Sequence, residues 1–156
     1  MTLAAGYFAL CGNCFSSELS RTKLEKLDGG YVIAVPMQVR VEQVGDVEDF
    51  SLYRLTDTQG KVLLTIYLGN APQPVEDVGS EAIRTDVKIG RFTATSIKWT
   101  NETGLHNEDI RIRLLERKGG WPSMAHIAYR DLPKDDEVMV REVIRSFSRA
   151  ETARVR

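Results

Sequence analysis

From Tyr31 to about Arg130 the apolar residues of this chain recur mostly at every second position, and helical spacing is confined to the stretches on either side. A two-residue period buries one face of a strand and leaves the other wet, so this pattern demands a sheet built largely from hairpins. Val35, Met37, Val39 and Val41 share one face, while Gln38, Arg40 and Glu42 point away. Pro36 has no N–H to give to a ladder, which places the start of that strand at a sheet edge. Residues 50–55 and 61–68 flank the polar loop Thr56-Asp57-Thr58-Gln59-Gly60 and read as a hairpin. The second of these runs is apolar on both faces, as a central strand covered by a helix would be. Further strands are expected over 82–89 and 91–100, flanking Gly90, over 109–117 and over 123–130. In the third of these, Ile110, Ile112 and Leu114 face inward, and Arg111 and Arg113 face out.

Two helices are expected to close this sheet. Residues 15–27 carry the start signals Ser16, Ser17 and Glu18, a loose stripe of Leu19, Leu24 and Leu27, and an exit at Asp28-Gly29-Gly30. The second helix is capped by Asp135 or Asp136 and runs to about residue 148, its buried stripe being Val140, Val143, Ile144 and Phe147. Glu137 and Arg141 pair at i, i+4 on its exposed side. The fold class expected is therefore α+β, an antiparallel β-sheet covered by an N-terminal helix and a C-terminal amphipathic helix, in effect an α/β/α sandwich. Residues 15–150 form the single domain, 1–14 a leader remnant or first element, and 151–156 a basic tail.

Formal charge is −1, from 21 basic and 22 acidic residues, which argues against a dominant phosphate-binding face and hence against nucleic acid as a partner. A chain of 156 residues buries roughly 70% of its unfolded surface and needs neither metal nor disulfide as a staple. No run approaches the roughly 18 apolar residues of a membrane-spanning helix. The apolar stretch from Met1 to Leu10 resembles the core of a signal peptide, but it lacks a basic start and an Ala-x-Ala site.

Among motifs, Cys11-Gly12-Asn13-Cys14 has the spacing of a thiol–disulfide pair, whose first thiol is acidified when it opens a helix. Only ten residues precede it, too few for the strand and helix that a thioredoxin-like site has upstream. With His106 and His126 the same cysteines would make a zinc set, but those histidines lie far apart in sequence. Neither histidine belongs to a local catalytic signature; His106 falls in an expected loop, and His126 falls on the face opposite Ile127. Asn101-Glu102-Thr103 matches a glycosylation acceptor without further support. The acidic pairs Glu76-Asp77 and Glu108-Asp109, and Asp135-Asp136-Glu137, read as solvated loops and a helix start. Trp99 and Trp121 lie near strand ends, where an aromatic caps a core or lines a groove.

The stretches Phe50-Ser51-Leu52-Tyr53, Ile66-Tyr67-Leu68-Gly69-Asn70 and Val143-Ile144-Arg145-Ser146-Phe147, in this order, resemble the layout of PsbP-like domains over residues 31 to 148. Those are α/β/α sandwiches that include photosystem accessory proteins and small bacterial envelope proteins. The resemblance implies a non-enzymatic accessory or binding domain, periplasmic or envelope-associated, with the cytoplasm as the alternative. The expected function is thus non-catalytic binding of an unidentified protein or small molecule, without a cofactor or metal. Its candidate binding residues are Asn70 on the 69–80 loop, His106 on the 101–108 loop and the nearby Trp99. The alternative is a thiol–disulfide oxidoreductase using Cys11 and Cys14.

Overall fold

A computed structural model describes residues 21–72, 78, 81–114 and 120–150. Ten strands and one helix follow in chain order: β1 (Thr22–Leu27), β2 (Tyr31–Pro36), β3 (Arg40–Val47), β4 (Phe50–Thr56), β5 (Val62–Gly69), β6 (Ile83–Ile89), β7 (Phe92–Thr100), β8 (His106–Arg113), β9 (Met124–Leu132), α1 (Lys134–Ser146) and β10 (Ser148–Arg149). Seven of the strands form one antiparallel sheet in the order β3-β4-β5-β9-β8-β7-β6, and β1-β2-β10 form a second.

The β4–β5 and β6–β7 hairpins are present as expected, whereas β8 begins at His106, inside the expected 101–108 loop, because Thr100 and His106 already pair across the β7–β8 ladder. Asp57 closes the β4–β5 turn, its Oδ1 accepting from the backbone N–H groups of Gln59 (2.8 Å) and Lys61 (2.9 Å). The α1 stripe is buried as its spacing requires, with Val140, Val143, Ile144 and Phe147 each at most 4% exposed. Burying each such side chain contributes about 1.5–3 kcal/mol.

The N-terminal half departs from expectation. Residues 22–27 are a strand, not the end of a helix, and the expected residues 15–20 lie outside the described residues. Pairing of β1 with β2, from Thr22 opposite Pro36 to Leu27 opposite Tyr31, overrides the local helical signals. Leu27 is buried at 5% while Leu24 is 65% exposed, an arrangement that no helical stripe would give. Asp28-Gly29-Gly30 is the tight turn of this hairpin, with φ of +66° at Gly29 and +76° at Gly30. Nor do residues 31–41 form one strand. A turn closed by Val39 N–H on Pro36 O (2.9 Å) throws Met37 out of the alternation and sends β2 and β3 into different sheets. Pro36 is the last residue of β2, where β1 pairs on one side and β10 does not reach the other.

The α/β/α sandwich is therefore replaced by two layers of mostly β structure. The first is the seven-stranded sheet. The second is made of α1 and the small sheet side by side: Ala34 N–H donates to Ser146 Oγ (2.8 Å), and Ser148 and Arg149 continue into pairing with Val32 and Tyr31. One hydrophobic core lies between the layers, joining Tyr31, Ile33 and Val35 of β2 to Leu64, Ile66, Ile112 and Ile127 of the large sheet and to the α1 stripe. At its centre Tyr31 stacks on Phe147 (5.3 Å between centroids), and Phe92 tilts against both rings. The helix begins after Pro133, with no side-chain cap, rather than behind Asp135 or Asp136.

The β1–β2 turn is locked to the far end of the large sheet. Asp28 accepts from Ser51 Oγ and from Gln43 Nε2 (3.1 Å), and its N–H donates to Tyr53 Oη (2.9 Å). The bond from Ser51, then that of Tyr53, holds the Asp28 carboxyl below its usual range against some burial. A Cβ on Gly29 would lie 2.3 Å from Cδ of buried Pro122, whereas one on Gly30 would meet nothing within 4 Å. Gly30→Ala is therefore expected to cost only the left-handed backbone penalty, about 1–2 kcal/mol. Gly29→Ala adds overpacking against Pro122 and should cost about 2–5 kcal/mol in all. Parallel thermal melts of the two variants check this ordering.

Candidate functional site

The candidate binding residues of the sequence do not converge. Asn70 follows β5, and its Oδ1 accepts from Ser123 N–H (3.1 Å). Trp99 and His106 lie at the opposite end of the large sheet, where Thr100 pairs with His106 and His106 with Leu132. The nine-residue β9 runs between these ends, a span of about 26 Å at about 3.3 Å per residue. Trp99 and His106 also fall on opposite faces. Trp99 is on the face turned away from the core, under the Arg130 guanidinium (4.8 Å). His106 is turned to α1, its Nδ1 3.1 Å from Glu137 Oε2. His126 shares the outward face, so the two histidines cannot supply one metal site. Among the described residues no three metal-ligating side chains converge. Cys11, Cys14 and most of the 69–80 loop lie outside the described residues.

The 101–105 turn is rigid for a local reason. Asn101 Oδ1 accepts from Thr103 N–H (3.0 Å), Thr103 Oγ1 (2.7 Å) and Leu105 N–H (2.9 Å), and its Nδ2 donates to Asp131 (2.6 Å). The amide of the glycosylation-like tripeptide is thus engaged in holding the turn.

Glu108-Asp109 is no solvated loop. The two carboxylates sit on opposite faces of β8, 2% and 0% exposed. Glu108 points inward, accepting from Ser96 Oγ and pairing with Arg141 (3.3 Å) and Lys98 (3.7 Å). Arg141 also binds Glu137 (2.7 Å), so this pair does not stay on the outer side of α1 but ties the helix into the core. Burial raises the Glu137 carboxyl, but the Arg141 bond and charge outweigh it and leave it below the usual range. Tyr129, beside this cluster, has its phenol pushed far up, first by burial and then by the Glu108 charge.

Asp109 points outward yet is fully covered. His126 Nε2 lies 2.7 Å from Oδ1, and Arg130 Nη2 contacts both oxygens (3.0 and 2.9 Å). Burial pushes this carboxyl up, but hydrogen bonds from His126 and Arg130, with their charges, prevail and hold it low. The sequence hid both clusters because the partners of each acid lie at least a strand away in the chain.

A different feature has the form of a binding site. Between α1 and β1–β2, on the side of the second layer away from the core, lies an open trough of about 480 Å³. Its walls are Ala34, Pro36, Val138, Met139 and Val143, with Thr22 and Ser146 hydroxyls and the carboxylates of Asp135 and Glu142 at its margins. Leu24, which pairs with Ala34, and Met37, next to Pro36, extend the apolar surface. Leu24, Met37 and Val138 are 65%, 57% and 69% exposed. Its makers were individually visible in the sequence, but the trough was not. It needs β1 to be a strand and α1 to dock beside β2. Among the described residues no helix is long and apolar enough to cross a membrane. No protein family, curated protein or solved structure matches this chain.

Proposed function

We propose that the protein is a non-catalytic binding domain whose ligand occupies the trough between α1 and β2. One observation carries the reading: Val138, a large apolar side chain left in water, lines an apolar hollow with Ala34, Pro36 and Met139, and exposed Leu24 lies on β1 opposite Ala34 of its wall. Its volume lies within the roughly 300–1,000 Å³ typical of small-molecule sites. The ligand has an apolar body and a hydrogen-bond-donating head, because the polar groups at the margin include the Asp135 and Glu142 carboxylates. A binding rather than catalytic role is supported by the two buried acids, which are closed off by their own protein partners and do not face the trough.

The test uses Nile red, a neutral apolar dye whose fluorescence rises on leaving water. The wild-type chain should bind it saturably at one site. Val138→Glu places a charge on an exposed wall residue and should weaken binding by about 10-fold or more, the worth of one buried side chain, without shifting the melting temperature. Equal binding by this variant, or none by the wild type, overturns the reading.

A further inference from the structure

We propose that the protein self-associates through β6, the outermost described strand on its side of the large sheet, which pairs antiparallel with β6 of a second copy. Among the described residues the large sheet ends in two edges, β3 and β6. Edge strands present unpaired N–H and C=O groups, which native folds commonly blunt with bulges and charges. The β3 edge is interrupted by a register shift between Gln43 and Gly45, whereas β6 pairs with β7 without a shift from Ile83 to Ile89.

The alternation along β6 fits this partner. Ile83, Thr85, Val87 and Ile89 share the core-side face, but only Ile89 is buried; Val87 is half covered and Ile83 is 64% exposed. Arg84, Asp86 and Lys88 share the outward face and are all exposed. Thr95 Oγ1 donates to Asp86 Oδ1 (3.3 Å), holding that carboxylate on the outward face. A two-fold axis at Thr85 sets Arg84 opposite the second copy's Asp86, twice, and Ile83 opposite Val87, twice. Opposite charges then lie across one face and apolar side chains across the other. An axis at Asp86 sets Arg84 against Lys88 and Asp86 against itself. An axis at Val87 leaves Ile83 beyond the hairpin turn. The Thr85 register is thus the one that covers Ile83 and satisfies the charges. The interface is isologous, as a two-fold dimer requires.

One strand pair is small among specific interfaces, so a dissociation constant of about 10–100 μM is expected. Sedimentation of the full chain over a range that brackets this value measures it. Arg84→Asp should weaken the dimer at least tenfold, and Asp86→Arg should do the same. The double variant Arg84→Asp/Asp86→Arg, which restores opposite charges, should return the affinity to within threefold of wild type. All these side chains are exposed, and thermal melts confirm that the variants fold. A chain that stays monomeric throughout overturns the proposal, as does a dimer insensitive to the single changes or not restored by the double one. The trough plays no part in this contact, so dye binding and dimerisation fail or survive separately.

Discussion

Replacing Phe147 with alanine is expected to lower the free energy of unfolding by about 3–5 kcal/mol, a large part of the stability of a domain this size. Phe147 is completely buried between the end of α1 and the start of β10. Its ring stacks on Tyr31 at 5.3 Å and meets Phe92 at 6.0 Å, so truncation opens a cavity where both layers touch. These neighbours come from β2 and β7, on opposite sides of the core, which hinders collapse into the space. Urea denaturation should show a lower midpoint with an unchanged slope. Phe147→Leu, which keeps most of the volume, should lose less than half as much.

Arg130→Met should cost about 3–5 kcal/mol near neutral pH, because it removes one partner of a fully buried carboxylate and leaves the charge behind. Arg130 is half exposed, so the damage arises at Asp109 rather than from the arginine's own burial. The pH dependence separates this from lost packing. In the wild type the Asp109 pKa is depressed by His126 and Arg130 despite burial. That contribution is therefore complete above the unfolded carboxylate pKa, about 3.9, and is lost as pH falls through the folded value. Without Arg130, desolvation is opposed by His126 alone, so Asp109 is driven toward its neutral form. The deficit should accordingly shrink as pH is lowered from 7 toward 4. A deficit that is constant with pH would show that Asp109 is not its source.

The pattern of apolar residues was enough to locate most strands of the large sheet and the helix stripe, because alternation and helical spacing are local properties. It misread residues 22–27 and 31–41, where the deciding interaction is between strands. The glycines of Asp28-Gly29-Gly30 were correctly seen as a chain break, but a left-handed glycine ends a helix and turns a hairpin equally well. Asp109 shows the corresponding limit for the polar groups. Its neighbours in sequence say surface, and only the arrival of His126 and Arg130 across the β8–β9 ladder makes burial tolerable. The trough is further still from the sequence, since its two walls are separated by about a hundred residues of chain.

The seam between β2 and the C-terminal end of α1 also bears on how the chain is made. Ala34 is held by Ser146, Val32 by Ser148, and Gly30 O by the N–H of Ala150. During vectorial synthesis the first hairpin is therefore complete long before the residues that flank its inner strand have left the ribosome. Until then Ile33 and Val35 have no finished core to enter, and the growing chain carries an apolar hairpin in water. Closure of the second layer thus waits for α1 and Ser148–Arg149, and until they arrive this hairpin is the stretch most exposed to aggregation.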